Sequence, residues 1–465
     1  MVGDHLRALA RRFAQGTVEA GVASVVLVGI ASAHASNLSA GRESMTIPPW
    51  LVLLTGGAVI GASFLLVSMV TDRYLIDAVH EWGWERQLAT PGWLPTLGRA
   101  LGLVVLVAIV VVGFVGPQTP TVSLTILFVW VAWWAGYAIS VYLLGDTWGW
   151  FNPWRLVADL VPVDAPLEYP DRLGAWPSIA GLFALVWLEV TSPIANSPRL
   201  MATVVAVYSG VTVLGALLFG GDRWFREADP VSRVFRFYGL VAPIQGVEGR
   251  VATGLPGWRL TRDQFVHGWD DVAFVVGLLW LTTYDGFVAT PSWKALADVA
   301  VGVGLPPMGA YFALFAGGYG LFILAYMFAV RVSRRFAVTL LDERTVALRF
   351  AQSLVPIAAG YHLAHYLGYF LELGPSVAVM ATHPLTPPAS VPVLVLPGWF
   401  GTVQLFFVLV GHVVAIWIAH AIAFETFTGR LQPIRSQYSF SLIMVGFTMV
   451  SIAIVYQPTV ALPYL

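Results

Sequence analysis

The chain has 465 residues, of which 58% are hydrophobic and only 11% charged, with a mean hydropathy of +0.76. Soluble domains carry about 25% charged residues, so this composition excludes an ordinary soluble fold. A net charge of −1, built from 24 Arg, one Lys and 26 acids, leaves no basic excess for nucleic acid, and the lack of Cys excludes disulfides, thiolate metal sites and Cys-ligated clusters.

The first segment carries Arg7, Arg11 and Arg12, then an apolar stretch from Val18 to Ile30, then Ala31-Ser32-Ala33. That is the layout of a secretory signal peptide, and residues 1–33 read either as one or as an uncleaved first transmembrane helix. Cleavage after Ala33 would make His34 the N-terminus, whose amine and imidazole suit copper.

Ten further apolar segments follow, at about 50–70, 99–116, 121–144, 176–192, 200–219, 270–285, 308–330, 350–371, 399–424 and 438–457. Each approaches the roughly 20 residues that a spanning helix needs. The expected fold is therefore all-α, a polytopic bundle of 10–11 spanning helices, with residues 34–465 forming one membrane domain in contact with the lipid bilayer. With the N-terminus inside, 22 of the 25 cationic side chains fall inside and only Arg42, Arg199 and Lys294 outside. This bias orients helices during insertion, and it predicts a cell-membrane protein with its C-terminus outside.

The stretch at about 220–268 holds seven Arg and is expected to lie along the inner, cytoplasmic surface, drawn to anionic headgroups. The connection at about 372–398 has six prolines and neither Lys nor Arg, and is expected to be too broken for a helix and to cap the outer face.

Ionisable side chains inside spanning segments are functional candidates by default. They are Glu189 and Asp285 near outer ends, His362 and His365 in the 350–371 helix, and His412 and His420 in the 399–424 helix. His365 lies about 6 Å outward of its helix midpoint at 1.5 Å per residue, and His412 lies near the midpoint of the antiparallel neighbour, so the two imidazoles are expected to be able to meet. His362 and His365, one turn apart, have a spacing that lets two imidazoles share an ion. His412 and His420 are about 12 Å apart along the axis, too far for one mononuclear site.

A carboxylate pair with one or two imidazoles suits an oxygen- and nitrogen-ligated divalent metal such as zinc, or a proton-exchanging site. The blander reading is a set of neutral imidazoles bonded to backbone carbonyls. Haem held by opposed His residues is a further reading, weakened because no helix pairs its His residues at a two-haem spacing. A Gly-rich phosphate loop, a Gly-x-Ser-x-Gly elbow and His-Glu-x-x-His are all missing, which removes support for ATP-driven transport and for an α/β-hydrolase. The tryptophans near helix ends match interfacial belts.

Several strings occur together: Gly145-Asp146 with Asn152-Pro153-Trp154-Arg155; Tyr169-Pro170-Asp171-Arg172-Leu173-Gly174-Ala175-Trp176-Pro177; Tyr284-Asp285-Gly286; Arg349-Phe350-Ala351-Gln352-Ser353-Leu354-Val355-Pro356-Ile357; and Arg435-Ser436-Gln437-Tyr438. As a set, running from about residue 34 to near the end, they resemble the multi-pass membrane protein family called fenitrothion hydrolase. The resemblance implies functional positions at Glu189, Asp285, His365, His412, His420 and His34. His362 and His383 depart from the family pattern, so a His362–His365 chelate is not implied by it.

Three functions follow as expectations. In the first, Glu189 and Asp285 work catalytically in a metal-dependent hydrolase of organophosphate-like esters, with zinc or copper held among Glu189, Asp285, His365, His412 and His34 and lowering the pKa of bound water. In the second, the same groups form the transit site of a transporter or permease for a metal ion or small solute. In the third, the chain is a structural or assembly protein whose His residues tie helices together.

Overall fold

The computed structural model describes residues 48–87, 91–161, 165–247 and 250–464. The signal-peptide reading of residues 1–33 and the His34 site lie outside the described residues. The chain is an all-α polytopic bundle and an integral membrane protein. Its main helices are α1 (Pro49–Ser68), α2 (Trp93–Val115), α3 (residues 124–144), α4 (Trp176–Thr191), α5 (Pro198–Phe219), α6 (Pro230–Gly239), α7 (Trp269–Val288), α8 (Pro307–Ala337), α9 (Val355–Thr382), α10 (Phe400–Thr426) and α11 (Tyr438–Tyr456).

All ten expected segments fold as helices, and eight of the described helices are long and apolar enough to cross a membrane. The other two are α4, with 16 residues, and α9, which has 28 residues but whose apolar character is diluted by His362, His365 and Glu372. Helix starts follow local chemistry: Ser197 accepts from the Leu200 amide ahead of Pro198, and Asp342 caps Glu343–Ala351 through the Thr345 amide. α7 is the axis of the bundle, 83% of its span being buried, whereas α2 is 17% buried and faces outward. α9 and α10 pack backbone to backbone where Gly360 meets Gly411, the close approach that small residues permit between membrane helices.

Three features depart from the sequence reading. α9 continues through Pro375 to Thr382, so residues 372–382 of the 372–398 connection are helical. The following chain folds back on this part of the helix: Ser376 Oγ donates to the Pro392 carbonyl and the Leu394 amide to the Glu372 carbonyl. Next, Trp84–Gln87 (β1), Ile244–Val247 (β2) and Arg250–Thr253 (β3) form an antiparallel sheet in the order β1-β3-β2, with Trp84 and Ile244 both opposite Thr253.

The third departure is the depth at which α6 is packed: it lies against α3, α4 and α9 with Phe235, Phe237 and Tyr238 fully buried. Its Arg233 is also fully buried. The guanidinium pairs with Asp271 and, at 3.2 Å, with Glu227, and it lies over the faces of Phe237 and Phe274. Asp271 in turn accepts from the His267 and Gly268 amides. Neighbouring Arg236 is pulled down to about 10 by burial and by the like charge of Arg233. The buried face of α6 is thus a paired and hydrogen-bonded charge network, the condition under which ions are tolerated away from water.

Candidate functional site

Asp285 sits one turn before the end of α7, where the helix dipole disfavours a negative charge. Two groups on α9 offset this. Tyr366 donates its hydroxyl to Asp285 Oδ2 at 2.7 Å, and His365 Nε2 lies 3.4 Å from the same oxygen. The Asp285 and His365 side chains are 9% and 13% exposed, so the pair is nearly sealed from its surroundings.

Glu189, on α4 against α7, is buried and close enough to act electrostatically on Tyr284, Tyr366 and Tyr369. It also stands on the wall of a cavity of about 380 Å³ between α2, α3, α4 and α5. Among the described residues Glu189 is the one acidic or basic side chain in that lining, which is otherwise apolar and aromatic, with Trp130, Trp133, Trp134, Tyr137, Trp148 and Trp154. The wall includes Leu101 of α2, which is 57% exposed among the described residues.

Between this centre and the arginine-rich end runs a line of buried rings. His362 stacks on Tyr366 at 4.5 Å and touches Tyr238 at 5.5 Å and Tyr142 at 5.9 Å, and the two tyrosines are 5.1 Å apart. Both ring nitrogens of His362 lack a hydrogen-bonding partner among the described residues. The ring is held edge-on by Trp134, from the ten-residue π-helical stretch Phe128–Tyr137 within α3. Such wide turns are concentrated at functional sites. This one is seated where Gly136 lets the Phe370 ring approach closely.

Of the sequence candidates, the structure brings Asp285 and His365 into contact, with Glu189 on the adjoining helix. His412 does not join them. It is fully buried, its Nδ1 lies 2.8 Å from the Val408 carbonyl, and no hydrogen bond or ring contact links it to Asp285, Glu189 or His365 among the described residues. The expected meeting of His365 with His412 is therefore not observed, because the α9–α10 crossing at Gly360 and Gly411 is set by backbone contact. The His362–His365 pairing is not formed either, since His362 turns toward the Tyr142 and Tyr238 rings and His365 toward Asp285. His420 ties helices together, with Nε2 2.8 Å from the Val70 carbonyl and Nδ1 3.2 Å from Gln437 Oε1. Among the described residues no group of three or more His, Asp or Glu is placed to hold a metal ion. Sequence reasoning missed Tyr366, Tyr142 and Tyr238. The only signal was their place in spans that carry an ionisable residue or adjoin one.

These features define an integral membrane helix bundle with a buried carboxylate–imidazole–phenol centre. No family model, curated protein or solved structure matches the chain.

Proposed function

We propose that the protein is a proton-exchanging permease whose transit site is Asp285 with His365 and Tyr366. The observation that carries this reading is the Asp285–His365 contact inside the bundle, fixed by the Tyr366 hydroxyl. The pair is electrically neutral in two forms, carboxylate with imidazolium or carboxylic acid with imidazole. Loss of one proton leaves a net negative charge in a medium where an unpaired ion is expensive. Arrival of a cation relieves that charge, so proton release and cation entry favour each other, which is the physical core of exchange. The line of Tyr366, His362, Tyr238 and Tyr142 supports the reading by extending polar side chains from the pair toward the arginine-rich end.

The test uses proteoliposomes loaded with a pH-reporting dye and given gradients of zinc, copper, a small phosphoester or an organic cation. A solute-dependent pH change with the wild type that is lost in Asp285→Asn and in His365→Ala is expected. No solute-dependent change under any gradient rejects the reading.

The metal-dependent hydrolase implied by the family resemblance is favoured only by the same contact, which offers one oxygen and one nitrogen donor. The described residues do not complete a donor set, and no hydrolytic step is assigned to them. Stoichiometric zinc or copper in purified protein, together with organophosphate-ester turnover, would favour hydrolysis over exchange.

A further inference from the structure

The cavity beside Glu189 has a composition that selects a ligand class. Its volume of about 380 Å³ falls within the roughly 300–1,000 Å³ of small-molecule sites. A neutral lipid tail needs only aliphatic walls. Here the lining instead combines five indoles with Tyr137 and Tyr208, and indole faces attract cations, most strongly where water is excluded. Glu189 is the one acidic side chain in the wall, and no Arg, Lys or His lines the cavity among the described residues. A hydrophilic cation is disfavoured by the nearly continuous apolar surface, which a lipophilic one matches.

We propose that this cavity binds a lipophilic organic cation, with its apolar groups among Trp130, Trp133, Trp134, Trp148 and Trp154 and its charge set against the indole faces and Glu189. Trp134, in the cavity wall, also stands edge-on to Tyr366 at 6.4 Å, and Tyr366 is the residue that holds Asp285. The cavity is therefore the entry side of the exchange site, and in that respect the inference rests on the permease reading by naming its substrate class.

Equilibrium dialysis of the detergent-purified full chain tests the site without requiring transport. Tetraphenylphosphonium is the probe, triphenylphosphine oxide is its neutral counterpart, and protein-free micelles give the background. The wild type is expected to prefer the cation by at least about tenfold, Glu189→Gln to remove most of that preference, and Trp133→Leu to weaken cation binding more than binding of the neutral analogue. Equal binding of cation and neutral compound, no binding of either above background, or a preference unchanged in Glu189→Gln would each overturn the proposal. The two readings fail separately. Cation binding without acid-gradient uptake removes the permease and leaves the site, whereas solute-coupled proton movement without cation binding removes only the assigned ligand.

Discussion

Asp229 and Asp285 are buried carboxylates in different situations. Asp285 has an imidazole beside it. Asp229 has only hydrogen-bond donors: the Ser232 amide at 2.8 Å, the Tyr208 hydroxyl and, at 3.5 Å, the Thr212 hydroxyl. Burial raises the Asp229 carboxyl above its ordinary value, and the hydrogen bonds only partly oppose that. A raised acid binds its proton more tightly in the folded state, so its contribution to stability is greatest at low pH and is lost as pH climbs through the raised value. Asp229→Asn keeps an oxygen to cap α6 and removes the charge. Thermal melts in detergent should therefore show the wild type losing stability relative to Asp229→Asn as pH rises above the unperturbed carboxylate value of about 3.9. Parallel curves would show that folding does not raise the Asp229 carboxyl. Asp229→Ala, which leaves the cap and the Tyr208 hydroxyl unserved, should be less stable at every pH by about 1–3 kcal/mol.

At the level of elements, the α9–α10 crossing positions His365. A methyl group on Gly411 would lie 2.6 Å from the Pro356 carbonyl oxygen, so even Gly411→Ala requires the helices to part. Overpacking of this kind costs about 1–3 kcal/mol. Gly317, in α8, has open space where its Cβ would be, and Gly317→Ala should leave the melting temperature unchanged or slightly raised. Equal melting temperatures for the two variants would mean that the crossing yields easily. The helices themselves were legible because apolar runs of membrane length have few alternatives, and Glu189, Asp285 and His365 were legible as ionisable residues within or at the edges of such runs. Tyr366 was not, since a tyrosine in an aromatic-rich span looks the same whether its hydroxyl serves a carboxylate or the backbone. The wide turn of Phe128–Tyr137 depends on Gly136 meeting Phe370, a contact between distant parts of the chain. The strands were missed because each has four residues, too few for a pattern.

On the scale of the whole molecule, the buried ion network joins the helices at the arginine-rich end. Arg233→Ala leaves Asp271 and Glu227 without their guanidinium, and breaking a buried pair on one side costs about 3–5 kcal/mol. Arg233→Met combined with Asp271→Asn removes both charges and should recover a large part of that loss in detergent melts. A double variant as unstable as Arg233→Ala would show that packing of the arginine over Phe237 and Phe274 matters more than its charge. Sequence alone placed these arginines at a membrane surface, because the positive-inside pattern reports which side a loop is on and not how deeply it is packed.

The enclosure of α6 also bears on the order in which the protein is made. Arg233 emerges from the ribosome 38 residues of elongation ahead of Asp271, so over that interval the nascent chain presents a helix that neither oil nor water suits. It must wait at the membrane face until α7 arrives to receive it. Translation up to α7 therefore precedes closure of the core, and a chain halted short of residue 271 should persist as a substrate for quality-control proteases, not as a compact intermediate.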